Sequence, residues 1–271
     1  VKTPDERHEE YKTRPRSWSQ LTSYESCPHA YYLERIAQVW QRPAAWFATG
    51  LGVHAGVEAH EKSEAPDVDS MLLVAQEAFR ADIEARLEPT PNAEYWQSSG
   101  RYHGPEDIPR RYQDLRRHLE NYLQVSAVRP PVMRLDDAPA VEWVMDFNLD
   151  GVRVIGFADQ IREGEIVDVK AGSMVPDNPG QLAVGAEAIR QKTGEKITRG
   201  IYIMTAKPPT PKGRISAAQV VEKDLTTIPV ETLTARFHAA DEGIKAGNWD
   251  PKPGDQCRRC SVASSCDFRV L

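Results

Sequence analysis

The sequence predicts a mixed α/β fold in which a helix leads into a three-stranded meander, then a second helix and a further strand. Three observations predict it. Residues 140–149, 152–158 and 165–170 read as strands, with turn signals at Asp150-Gly151 and Glu163-Gly164 between them. Helical patterns flank this stretch, one opening at Gly50 and one over 180–191. A run rich in β-formers at 199–205 then completes the order.

At 271 residues the chain has room for one large domain or two small ones, and its 40% hydrophobic and 27% charged content is that of an ordinary globular protein. No apolar run approaches the length that spans a membrane, and residues 1–10 lack the apolar centre of a signal peptide, so a cytoplasmic, intracellular setting is expected. A net charge of -6 argues against a histone-like nucleic-acid binder held by charge alone, while leaving room for a local basic groove.

In chain order, residues 1–16 are charged and proline-punctuated and read as a flexible arm. Ser17 or Ser19 can cap a short helix that ends before Cys27-Pro28, and Pro28 suits the first turn of a helix carrying Tyr31, Tyr32 and Leu33. Aromatics here are most simply core, with base stacking as the second reading for Trp18, Tyr24 and Tyr32. His54 and Glu58 are four apart and share a helix face. Residues 64–130 are helical in pattern around a polar interruption at 89–105. Their arginines, Arg110, Arg111, Arg116 and Arg117, are either a solvated face or phosphate contacts; Arg110 and Arg117 are the candidates for DNA. Pro176 and Pro179 punctuate a loop before helix 180–191, whose Gln181 can reach back to the strand ends. An exposed turn at 207–213, a strand at 217–224 and a helix at 230–246 follow.

The chemistry gathers at 151–170. Alternation along 165–170 turns Ile166, Asp168 and Lys170 to one face and Val167 and Val169 to the other. Asp159 closes the preceding strand, and a hairpin would bring it beside Asp168. Two carboxylates that close repel unless a cation sits between them, and carboxylate oxygens suit magnesium or manganese. The plainer alternative is a solvated Asp168–Lys170 pair with Asp159 in a turn. Cys27 stands apart from Cys257, Cys260 and Cys266, which form C-x2-C-x5-C. In a reducing compartment such a set reads as a metal site rather than as disulfides, and four thiolates suit either zinc or an iron–sulfur cluster.

Taken together these residues resemble the RecB-like branch of the PD-(D/E)xK nuclease superfamily, within it the iron–sulfur exonucleases: CRISPR-associated RecB-like exonucleases, their phage homologues and the nuclease domain of AddB. The matching features are Gly50, His54 and Glu58 as Gly-x3-His-x3-Glu, Gly-Phe-Ala-Asp at 156–159, Asp168-Val169-Lys170, Gln181, and one cysteine before and three after the site. The resemblance implies a restriction-endonuclease-like core as a single nuclease domain over 17–271, with 64–130 as a helical insertion and a [4Fe-4S] cluster on Cys27, Cys257, Cys260 and Cys266 joining the chain's two ends. It implies that His54, Asp159, Asp168 and the Val169 carbonyl bind Mn2+ or Mg2+. Lys170 would activate the attacking water and Gln181 would position the nucleophile or the DNA. Two departures stand out: Gly185 occupies a position usually held by tyrosine, and Asp168 is the shorter acid of the D/E-x-K pair.

The expected activity is metal-dependent exonucleolysis of single-stranded or frayed DNA ends in recombination, repair or CRISPR-type processing. The chain lacks a G-x4-G-K-[ST] loop, so unwinding would fall to a partner such as a helicase, with recombinases or CRISPR adaptation proteins as further partners. The competing readings are an iron–sulfur adaptor acting through such partners, and a zinc-ribbon DNA-binding module.

Overall fold

The computed structural model describes residues 2–206 and 218–270; the turn expected at 207–213 and the first residue of the strand expected at 217–224 lie outside them. In chain order the helices are α1 (Pro4–Thr13), α2 (Trp18–Ser26), α3 (Pro28–Tyr31) running into a π-helical turn at Tyr32–Ala37, α4 (Ala45–Glu61), α5 (Val68–Leu87) and α6 (Gly104–Ser126). Two short strands, β1 (Arg134–Leu135) and β2 (Ala138–Pro139), precede β3 (Val141–Leu149), β4 (Val152–Arg162) and β5 (Glu165–Lys170). Helix α7 (Gly180–Thr193), β6 (Arg199–Met204), β7 (Gln219–Asp224) and α8 (Val230–Ala246) complete the order.

Strands β3 to β7 form one sheet in sequential order, antiparallel at β4/β5 and β6/β7 and parallel at β5/β6. A parallel pair needs a crossover, and α7 supplies it. Asp150 and Gly151 take positive φ, +47° and +95°, as the two central residues of a tight hairpin turn must. Two boundaries differ by four residues or more from those read in the sequence. Strand β4 runs on to Arg162, so Asp159 lies inside it rather than at its end, and α4 begins at Ala45 rather than Gly50.

Contacts divide the chain into two compact units, the first comprising Val1–Arg42, Met145–Gly156 and Ile228–Leu271, the second Pro43–Val144 and Phe157–Thr227. In the first, residues expected to be a loose arm form α1. Thr3 and Glu6 make a reciprocal capping box, and Arg7 is buried with its guanidinium on the carbonyls of Lys2, Ile36 and Ala37. Such a fixed terminal helix is not legible from charge and proline content, because its anchor is a long-range one. Arg16 is buried too: its Nε donates to Asp241 at 2.8 Å, and its backbone pairs with Arg153 and Ile155 of β4.

In the second unit, α4, α5 and α6 bury Val53, Val57, Ala75, Phe79, Leu115 and Leu119 against Val167, Val169, Ile201 and Ile203 on one face of β5 and β6. The other face of β6 meets α7, where a side chain on Gly200 would strike Leu182. The α4/α5 contact is close: a Cβ at Gly52 would lie 2.7 Å from the Ala75 carbonyl oxygen, and one at Gly56 would lie 2.9 Å from that of Met71. Gly50, the glycine that the sequence motif singles out, has open space around it.

Candidate active site

Each expected site residue of the second unit is placed by an element already described. Successive residues on a helix turn by about 100°, which sets His54 on the side of α4 opposite Gly52 and Gly56. In the β4/β5 register Gln160 faces Val167, so one step further sets Asp159 against Asp168. Asp159 Oδ2 accepts the Val169 N–H at 2.7 Å. Lys170, two residues from Asp168 on the same face of β5, directs Nζ to Asp168 Oδ1 at 3.0 Å and to Gln181 Oε1 at 3.2 Å. Gln181 therefore reaches back from the first turn of α7 to the end of β5.

His54 Nδ1 lies 3.5 Å from Asp159 Oδ2 and 3.3 Å from Oε1 of a residue that sequence reasoning did not single out, Glu142. His54, Glu142 and Asp159 offer ligand atoms that all lie within 4.8 Å of one another. Alternation along β3 put Glu142 in the polar phase together with Asp146, and nothing local separates the two; Asp146 makes a surface ion pair with Arg153. What distinguishes Glu142 is its backbone, left-handed at φ +47° inside a strand, a conformation that costs a non-glycine residue on the order of 1–3 kcal/mol.

The charges are frustrated as they stand. Burial pushes the Asp159 carboxyl up, the neighbouring Asp168 charge adds to it, and its pKa reaches about 7. Burial raises Asp168 as well, against the pull of Lys170. Burial alone would lower His54, but the charges of Asp159, Glu142 and Asp168 and the Glu142 hydrogen bond outweigh it and push it up to about 9. Asp168 Oδ2 is buried without a hydrogen bond, although Lys170 Nζ stands 2.8 Å away. A buried anionic oxygen without a hydrogen bond, next to two further carboxylates and an imidazole, is a donor set of the kind a hard divalent cation takes.

Arg110 and Arg117 engage acids of their own helix, Arg110 with Asp107 and Asp114, Arg117 with Asp114. In the first unit Trp18 carries the Arg236 guanidinium 4.7 Å from its ring centroid. Tyr24 is buried with its hydroxyl on the Asn248 carbonyl, and Tyr32 packs 5.6 Å from Trp249. The four cysteines all belong to the first unit, all are free thiols and all are half-buried. Burial raises the Cys260 thiol, with the nearby charges of Glu34, Cys266 and Cys257 adding to it. Cys27 Sγ accepts the Lys252 N–H at 3.4 Å, and backbone amides of Val270 and Gly254 lower the Cys257 thiol.

The sequence profile described as the PD-(D/E)XK nuclease superfamily matches residues 15–267. The Gene 69 protein of Mycobacterium phage D29 is 37% identical over 268 residues, spanning 93% of this chain and 96% of its own. That of Mycobacterium phage L5 is 35% identical over 282 residues, spanning 93% and 95%. The crystal structure of SSO0001 is 13% identical with a TM-score of 0.31 over 93% of this chain and 94% of its own, a likeness too slight to carry weight.

Proposed function

The chain belongs to the PD-(D/E)XK nuclease superfamily, and from that premise we propose that it is a divalent-metal-dependent exodeoxyribonuclease of phage origin that trims single-stranded or frayed DNA ends. The observation that carries the reading is the meeting of His54, Glu142 and Asp159, with the orphaned Asp168 oxygen and Lys170 on the adjoining strand.

His54, Glu142, Asp159 and Asp168 would hold Mn2+ or Mg2+. Such an ion supplies Lewis acidity and lowers the pKa of its water, the two things an anionic phosphodiester needs before a nucleophile will attack. The chain's own groups do the rest. Asp168 and Gln181 hold the Lys170 ammonium between them, where it orients the attacking water and places positive charge against the negative charge growing on the phosphoryl oxygens. The Val169 N–H fixes the Asp159 carboxylate by a direct bond, so that ligand is oriented before any ion arrives.

The four cysteines are read as ligands of a [4Fe-4S] cluster. Four unpaired thiols lie in one unit; the charges of Cys257 and Cys266 bear on Cys260, and Cys27, Cys257 and Cys260 already receive backbone N–H bonds, which supports reading them as a four-thiolate set.

The test is digestion of end-labelled single- and double-stranded DNA with Mn2+, Mg2+ and EDTA, comparing the wild type with Lys170→Ala. Metal-dependent shortening from the ends that Lys170→Ala abolishes supports the reading. A wild type inert with every divalent metal overturns it.

A further inference from the structure

Apolar side chains stand exposed on the elements that carry the acidic site. On α4, Phe47 and Leu51 are about half exposed, and with His54 and Glu58 they fall within about 60° of arc on one helix stripe. On β4, Phe157 is 60% exposed and two residues from Asp159, hence on the same strand face. Val144, 61% exposed, follows Glu142 by two on β3. Along α4, Phe47 is about 10 Å and Leu51 about 5 Å from the level of His54. Phe157 is about 7 Å from Asp159 along its strand. Phe47 is also held in place: the Arg86 guanidinium lies 5.0 Å from its ring centroid and is itself fixed by two hydrogen bonds to Asp82, at 2.6 and 2.9 Å.

We infer that Phe47, Leu51 and Phe157 form a stacking strip for the bases of an unpaired DNA strand whose backbone enters the site at His54 and Asp159. The inference rests on the nuclease reading and adds the basis of substrate choice. A duplex turns sugar and phosphate outward and buries its base faces, so an apolar strip gains little from it. An unpaired strand presents those faces, and at about 3.4 Å per stacked step the strip spans about three nucleotides. The strip continues the elements that carry the metal ligands, so a strand bound there is already in line with the site.

The test uses fluorescence anisotropy of a labelled oligothymidylate and of an abasic strand of equal length, with Ca2+ in place of Mn2+ to hold the strands intact. The wild type is expected to prefer the base-bearing strand. Phe47→Ala and Phe157→Ala are each expected to cut that preference at least about fivefold, and Phe157→Trp is expected to keep it. A preference unchanged in both alanine variants overturns the strip, as does its replacement by a change in self-association seen in sedimentation. Hydrolysis of bis(p-nitrophenyl) phosphate with Mn2+ reports the metal site without any base. Its absence counts against the nuclease reading alone, and its presence with an unchanged base preference removes the strip alone.

Discussion

Binding of Mn2+ should be steeply proton-linked, because two of the groups that would ligate it hold protons near neutrality. His54 is pushed up to about 9 and Asp159 up to about 7, and each must give up its proton to become a ligand. Both shifts are upward, so affinity rises as pH climbs through the two values. Between pH 7 and pH 9 His54 accounts for about a fiftyfold gain and Asp159 for about a twofold one, together about a hundredfold or 2.7 kcal/mol. Below pH 7 the slope approaches about two decades per pH unit, and above pH 9 it flattens. Isothermal titration calorimetry in buffers of different ionisation enthalpy gives both the affinity and the protons released. An affinity constant across pH 6–9, with no proton release, would refute the assignment of these two side chains to the ion.

Lys170→Met should lower cleavage by about two to three orders of magnitude while preserving or enlarging the Mn2+-induced rise in melting temperature, since it removes a cation from beside Asp168. His118 is buried with its Nδ1 2.8 Å from Thr205, and burial, aided by Arg117 and Arg111, lowers its pKa to about 4. A depressed histidine contributes stability that is present above its unfolded pKa of about 6.5 and lost as pH falls towards 4, about 3 kcal/mol in all. Urea titrations of His118→Gln at pH 7 and pH 4.5 should therefore show a smaller loss on acidification than in the wild type. Arg16→Met leaves Asp241 with Lys245 alone, 2.7 Å away, and should cost about 3 kcal/mol in urea denaturation, with Arg16→Met combined with Asp241→Leu costing less. Anaerobically prepared Cys27→Ser should lose the brown colour and the iron content expected of the wild type, whereas equal iron in both would remove Cys27 from the cluster.

Much of the second unit could be read in the chain because its signals are local. Period-two alternation fixed β5 to the residue, and the same alternation put Asp168 and Lys170 on one face, where they meet. The Pro176 and Pro179 punctuation located the start of α7, and with it Gln181. What escaped depends on partners distant in sequence. Glu142 looks like any polar-phase strand residue until α4 brings His54 to it across 88 positions. The α1 helix looks like an arm until Arg7 is seen on the Ile36 and Ala37 carbonyls. Three arginines of α6, Arg110, Arg111 and Arg117, have their acids three and four residues away, at Asp107 and Asp114, a pairing that the chain does print, whereas Arg116 reaches Asp69 on α5.

The bare glycines at 52 and 56 let one helix axis rest directly on the next, and that leaves α4 no slack. A methyl at either position would act as a wedge, tipping the helix like a lever whose free end is the imidazole on its far side. Ion-binding constellations tolerate displacements of only about 0.5 Å, so such a wedge would loosen the ion's grip without touching a single ligand. On the proposed reading, the tightness of that grip would be set partly by two hydrogen atoms facing a neighbouring helix, on the side of α4 away from the ligands.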